Sequence, residues 1–125
     1  MANNVAAQKP IVLVVEDEPL VLLDAADMIE AEGYEVILAS SADEAIALLK
    51  TRDDIRIVFT DIEMPGSMDG LNLARVVREK WPPVELIITS GKHRPNSADL
   101  PARGRFIEKP YTTREVKDAL RAFAR

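Results

Sequence analysis

The chain contains no cysteine, so neither a disulfide nor a cysteine-bound metal takes part in its stability or chemistry. It also lacks a surplus of positive charge. The formal net charge is −5, which speaks against a domain that grips nucleic acid through phosphate contacts. An acidic balance suits a protein that gathers divalent cations or meets basic partner surfaces. Long apolar runs are missing too: stretches such as IVLVV at 11–15 fall far short of the about 20 residues that cross a bilayer. The opening MANNVAAQKP has no charged segment leading into an apolar one, so no secretory signal is read. A cytoplasmic protein with no membrane partner is expected. There is no internal repeat and no low-complexity tract.

What is present amounts to one domain. The 125 residues are 47% hydrophobic, enough to bury a core without staples. Residues 1–9 are polar and read as a flexible lead-in, leaving 10–125 as the folded domain. Ile11-Val12-Leu13-Val14-Val15 is a continuous run that stops at acids, the pattern of a strand buried on both faces in a parallel sheet. Pro19 suits a first helical turn, Leu20, Leu23, Ala26 (or Met28) and Ile29 recur at helical spacing, and Gly33 ends the segment. A second strand is expected over 35–39. Ser41 and Glu44 stand at capping-box spacing before a helix reaching Lys50. Strands at 55–60, 84–89 and 106–108 follow, with a helix over 71–80 that places Leu71, Ala74, Val77 and Trp81 on its apolar face. A last helix over 112–123 opens on Thr112 and Glu115, again at capping-box spacing. Only GKHRPNSADLPARG, from Gly91, breaks the rhythm. Its prolines at 95 and 101 leave room for one turn near 97–100 rather than a full helix.

Alternating strands and helices predict an α/β fold, a doubly wound five-stranded parallel sheet with a shortened or irregular fourth helix. Such sheets bind ligands at the carboxyl ends of their strands. Glu16 and Asp17 end the first strand, Asp61 the third, Thr89 and Ser90 the fourth, and Lys109 the fifth. Each has a bland reading alone. Glu16 and Glu18 could favour a helix dipole, Asp61 could be a turn residue, Lys109 a solvated loop lysine, and Ser90-Gly91 turn chemistry. The bland readings leave unexplained why all of them fall on one edge. Together they make chemical sense. Three converging carboxylates need a cation, and hard oxygen ligands suit magnesium. A carboxylate can act as the nucleophile in phosphoryl transfer, and a lysine and a hydroxyl can neutralise and orient the transferred group.

These residues resemble the receiver domain of two-component response regulators, over roughly 10–124. The motifs are IVLVVEDEP at the first strand, VFTDIEMPGSMDGLNLA around the third, IITSG at the fourth and FIEKPY at the fifth. The resemblance implies the flavodoxin-like strand order 2-1-3-4-5, which sets the first and third strands side by side. It implies Asp61 as phosphoacceptor, and Glu16, Asp17, Asp61 and the Glu63 backbone carbonyl as ligands of Mg2+, with Mn2+ as a possible substitute. Lys109 matches the phosphoryl-pairing lysine, with a cis bond to Pro110. Ser90, or alternatively Thr89, matches the switch hydroxyl, and Phe106 the switch aromatic. The implied protein is a phosphorelay module rather than an enzyme, with at most self-phosphorylation and self-dephosphorylation. Its partners would be a histidine kinase or histidine phosphotransfer protein and a downstream protein, and it would be a monomer or weak dimer. The chain ends one helix after Lys109, so a stand-alone receiver is expected.

Three features depart from the family pattern. The turn after Met64 is one residue longer, the aromatic is Phe rather than Tyr, and the fourth-helix region is broken by proline. His93 reads as a solvated loop residue and Trp81 as a cap on the core. Two rival readings stand beside this one. A haloacid dehalogenase-like hydrolase would carry a second aspartate where Glu63 stands. A degenerate receiver would serve only as a docking module, against which the intact acids and Lys109 argue.

Overall fold

The β-branched run Ile11–Val15 forms strand β1, and every one of its residues is buried. It is so placed because it has a neighbour on each side and a helical layer on each face, as the continuous hydrophobic pattern requires. A computed structural model describes residues 9–64, 69–91, 100–101 and 103–123. In it, β1 is followed by α1 (Pro19–Ala31), β2 (Glu35–Ala39), α2 (Ala42–Thr51), β3 (Ile55–Asp61), α3 (Gly70–Lys80), β4 (Glu85–Ser90), β5 (Gly104–Glu108) and α4 (Thr113–Arg121). The five strands run parallel in the order β2-β1-β3-β4-β5. The sheet begins at the end of the lead-in, where the Pro10 carbonyl accepts from the Glu35 amide at 2.9 Å.

Strand alternation divides the core into two. Leu13, Val15, Val58, Leu86 and Ile88 face α2 and α3, where they meet Leu49, Leu73 and Val77. Val12, Val14, Phe59, Ile87 and Ile107 face α1 and α4, where they meet Ile29, Val116 and Leu120. Trp81 packs half-buried against the first core, as the sequence suggests.

In two helices the inward stripe is rotated from the one expected, although Ala26, Ile29, Ala74 and Val77 are buried as expected. In α1, Leu20 and Leu23 are 77% and 51% exposed, and the buried stripe is Ala25, Ala26 and Ile29. Leu23 and Ala25 are two residues apart, hence on opposite sides of a 3.6-residue turn. In α3, Leu73 rather than Leu71 takes the fully buried place beside Ala74 and Val77. Apolar spacing cannot choose between two overlapping stripes; the sheet does.

Caps follow the expected chemistry, with one shift. At α4 the box is complete: Thr112 Oγ1 accepts from the Glu115 amide at 3.1 Å, and Glu115 Oε1 accepts from the Thr112 amide at 2.8 Å. At α2, Ser41 Oγ accepts from the Glu44 amide, but the Glu44 carboxylate reaches back to Ser40 instead. Gly33, at φ +94, takes the left-handed turn that closes α1.

Strands β3 and β4 each run one residue beyond the expected end, and β5 begins two residues early. Asp61 and Ser90 therefore belong to the sheet and inherit its rigidity. Among the described residues there are four helices. The expected turn near 97–100, His93 and most of the lengthened turn after Met64 lie outside the described residues. None of the described helices is long and apolar enough to cross a membrane.

Candidate functional site

The carboxyl edge of the sheet collects the polar residues. Glu16 follows β1, and its amide still donates to the Ala39 carbonyl of β2 at 3.1 Å. Asp61 closes β3 opposite Thr89 of β4, and the next amide, Ile62, donates to the Thr89 carbonyl at 2.8 Å. Lys109 follows β5, its amide donating to the Ser90 carbonyl at 2.9 Å. The Lys109–Pro110 peptide is cis. Sheet hydrogen bonds thus run through the residues that carry the site.

Side chains then converge. Lys109 Nζ lies between two buried carboxylates, 3.1 Å from Asp61 Oδ2 and 3.2 Å from Glu16 Oε1. Glu16 also accepts from the Glu18 amide at 3.2 Å, and Asp61 Oδ1 from the Glu63 amide at 3.3 Å. Glu16, Asp17 and Asp61 each bring a carboxylate oxygen within 4.8 Å of the others. These groups border a cavity of about 290 Å3, which Glu63 and Gly91 also line.

Burial decides the electrostatics. Glu16 and Asp61 are only 5% and 4% exposed. Loss of water pushes the Asp61 carboxyl above its usual value; Lys109 pulls it down, and Glu63 adds to the rise. Glu16 is raised in the same way by burial, against the hydrogen bond from the Glu18 amide, with Asp61 as a like-charged neighbour. For Lys109, burial works against the charged form, but the two carboxylates outweigh it and the ammonium is held more firmly than usual. One lysine facing three converging carboxylates leaves the pocket short of positive charge. An all-oxygen donor set with surplus negative charge is what a hard divalent cation such as magnesium needs.

Thr89 and Ser90 are both buried, and it is the Ser90 hydroxyl that donates to Glu63 Oε2, at 2.5 Å. Phe106 is half-buried against the core beneath α2 and α3. Two further residues shape the site. The Glu63 side chain, considered in the sequence for its backbone carbonyl, takes up both Ser90 and the Gly91 amide. Gly70, the first residue of α3, presses against the backbone of Asp61: a Cβ there would lie 1.7 Å from the Asp61 carbonyl oxygen. A sequence signal for it exists in Asp69-Gly70, since Asp69 caps α3 by accepting from the Asn72 amide at 2.9 Å.

The profile of the response regulator receiver domain family matches residues 12–121. The chain belongs to this family. Receiver domains are the phosphoacceptor modules of two-component systems, signalling domains rather than classical enzymes, and they interact with kinases and downstream proteins. The receiver domain is 36% identical over 104 residues to the nitrogen assimilation regulatory protein NtrX of Azorhizobium caulinodans, covering 80% of this chain and 23% of NtrX. Across the first three curated relatives the chain spans 11% to 49% of their length. A response regulator receiver protein from Sinorhizobium medicae superposes with a TM-score of 0.85 at 30% identity, covering 92% of this chain and 94% of that one. The response regulator TrrA of Thermotoga maritima, solved in complex with Mg2+ and BeF, superposes with a TM-score of 0.78 at 26% identity, covering 92% and 98%.

Proposed function

We propose that Asp61 is the residue phosphorylated in this receiver domain. The observation that carries this is the placement of its buried carboxylate 3.1 Å from Lys109 Nζ and beside Glu16 and Asp17. In the transfer, an Asp61 oxygen forms a new P–O bond as the P–N bond of a phosphohistidine breaks. The departing imidazole keeps the bonding electron pair and takes up a proton. Lys109 neutralises charge on the phosphoryl oxygens, and the Ser90 hydroxyl donates to one of them. Glu16, Asp17, Asp61 and the Glu63 backbone carbonyl would hold Mg2+, with Mn2+ able to replace it. When bound, the ion supplies positive charge shared between carboxylates and phosphoryl oxygens. Ser90 and Phe106 then move together as a two-state switch.

The phosphodonor on this reading is a histidine kinase or histidine phosphotransfer protein, and a downstream protein reads the switched surface. The domain spans 10–125, sits in the cytoplasm, and acts as a monomer or weak dimer. Self-phosphorylation from small phosphodonors and self-dephosphorylation are its only chemistry. The test is incubation with acetyl phosphate and magnesium, followed by intact-mass measurement. Wild type is expected to gain one phosphoryl group and Asp61→Asn none; labelling of the variant at an unchanged rate would sink the assignment.

A further inference from the structure

Among the described residues, the Glu63 side chain accepts hydrogen bonds from Ser90 and Gly91 that the phosphoryl-transfer reading does not use. Its Oε2 accepts from the Ser90 hydroxyl at 2.5 Å, and its Oε1 accepts from the Gly91 amide at 3.3 Å. Each carboxylate oxygen thus holds one donor of the β4 end. Both donors lie beside Asp61. Asp61 is the sheet partner of Thr89, the residue before Ser90, and Gly91 packs against the Lys109 stem, where a Cβ would meet Lys109 Cβ at 3.5 Å. Glu63, Gly91, Asp61 and Lys109 border one cavity. A phosphoryl group on Asp61 that reaches Lys109 therefore has Ser90 Oγ and the Gly91 amide among its nearby donors, with the Glu63 amide that already reaches Asp61 Oδ1.

We propose that the Glu63 carboxylate is an internal competitor of the phosphoryl group, a latch that occupies Ser90 and Gly91 until phosphorylation displaces it. The inference rests on the assignment of Asp61. Its physical basis is simple. A carboxylate and a phosphoryl group are both anions that seek the same charge-assisted hydrogen bonds. They cannot share one hydroxyl proton and one amide, and in a partly buried pocket they repel. Release of Glu63 then accompanies every capture of a phosphoryl group, so its side-chain bonds set how readily the site is charged. They also tie the Ser90 hydroxyl to the unphosphorylated arrangement, so the switch begins with a broken Ser90–Glu63 bond. The role belongs to the side chain, so the substitutions leave the backbone carbonyl of residue 63 in the chain as a metal donor.

The experiment compares wild type, Glu63→Ala and Glu63→Gln at saturating magnesium. Beryllofluoride affinity is measured by NMR titration, Asp61 labelling by acetyl phosphate is timed, and Gly91 amide exchange is followed in the metal-free state. Glu63→Ala is expected to bind the analogue about three- to tenfold more tightly, as the loss of one competing charge-assisted bond implies. Labelling should quicken to a similar extent, and the Gly91 amide should exchange faster. Glu63→Gln keeps the shape with a neutral acceptor and should fall between the two, which separates competition from general disruption. Unchanged or weaker analogue binding by a folded Glu63→Ala, with wild type binding normally, overturns the latch alone. Failure of all three chains to bind or label overturns the latch together with the assignment of Asp61.

Discussion

Asp61 and Glu16 illustrate how much burial does at the level of one residue. Both carboxyls are held above their ordinary values, chiefly by loss of water. The folded chain then binds protons more tightly than the unfolded one at these two positions. The resulting stabilisation is full below the ordinary carboxylate range, about pH 4, and is lost as pH rises through the raised values. At neutral pH, without metal, the charged Asp61 costs stability. Asp61→Asn is therefore expected to be the more stable chain in urea unfolding at pH 7 in a chelator. The gap should narrow as pH falls toward about 5, and a gap that widens instead would contradict the reading. Asp54, held low by its hydrogen bond to Arg52, works in the opposite sense but is solvent-exposed, where such pairs contribute little. Lys109 titrates in the alkaline range and leaves this window untouched.

At the scale of elements, the site depends on how α3 abuts the end of β3. The Gly70 amide donates to the Ile62 carbonyl at 3.0 Å, so the first turn of the helix is hydrogen-bonded to the segment leaving Asp61. A side chain at residue 70 has no room, because its first carbon would lie within bonding range of the Asp61 carbonyl. Only glycine allows that approach. Gly70→Ala is expected to destabilise the fold by about 1–3 kcal/mol through overpacking. It should also slow Asp61 labelling, since relief of the clash shifts the nucleophile's own backbone. Circular dichroism melts and timed acetyl phosphate labelling check both parts. Full stability with unaltered labelling would show that α3 can slide away without cost. The same junction explains why Leu73, three residues on, sits at 0% exposure: once Gly70 is pinned, the helix has no freedom to present Leu71 instead.

The whole molecule is a two-layered clamp around one sheet, with its charge deficit gathered at one end. The carboxylates at that end are pulled together by the order in which the strands pair, since β1 and β3 are neighbours although the 39 residues 16–54 lie between them in the chain. A ligand that supplies the missing positive charge and a phosphoryl-like anion binds only the folded arrangement, because the unfolded chain disperses Glu16, Asp17, Asp61 and Lys109. Magnesium with beryllofluoride is therefore expected to raise the melting temperature by several degrees, the stabilisation reaching about 2.7 kcal/mol at 100-fold excess over Kd. Asp61→Asn should show little of that rise. A wild-type chain indifferent to the mixture would favour the docking-module reading.

The sequence alone determined the alternation of elements, the capping residues Ser41 and Thr112, the parallel sheet and the set of polar residues at strand ends. These are local properties: side-chain period, cap chemistry and β-branched runs act within a few residues. The strand order and the individual roles came from motif resemblance, which no local rule supplies. Tertiary structure alone decided which stripe of α1 and α3 faces the sheet, that Asp61 and Ser90 lie inside the strands, and that Gly70 meets the Asp61 backbone. It also decided that the Glu63 side chain, 27 residues from Ser90 in the chain, holds the Ser90 hydroxyl. Contacts of that kind depend on where two distant strands end relative to each other, a distance that no spacing in the sequence encodes.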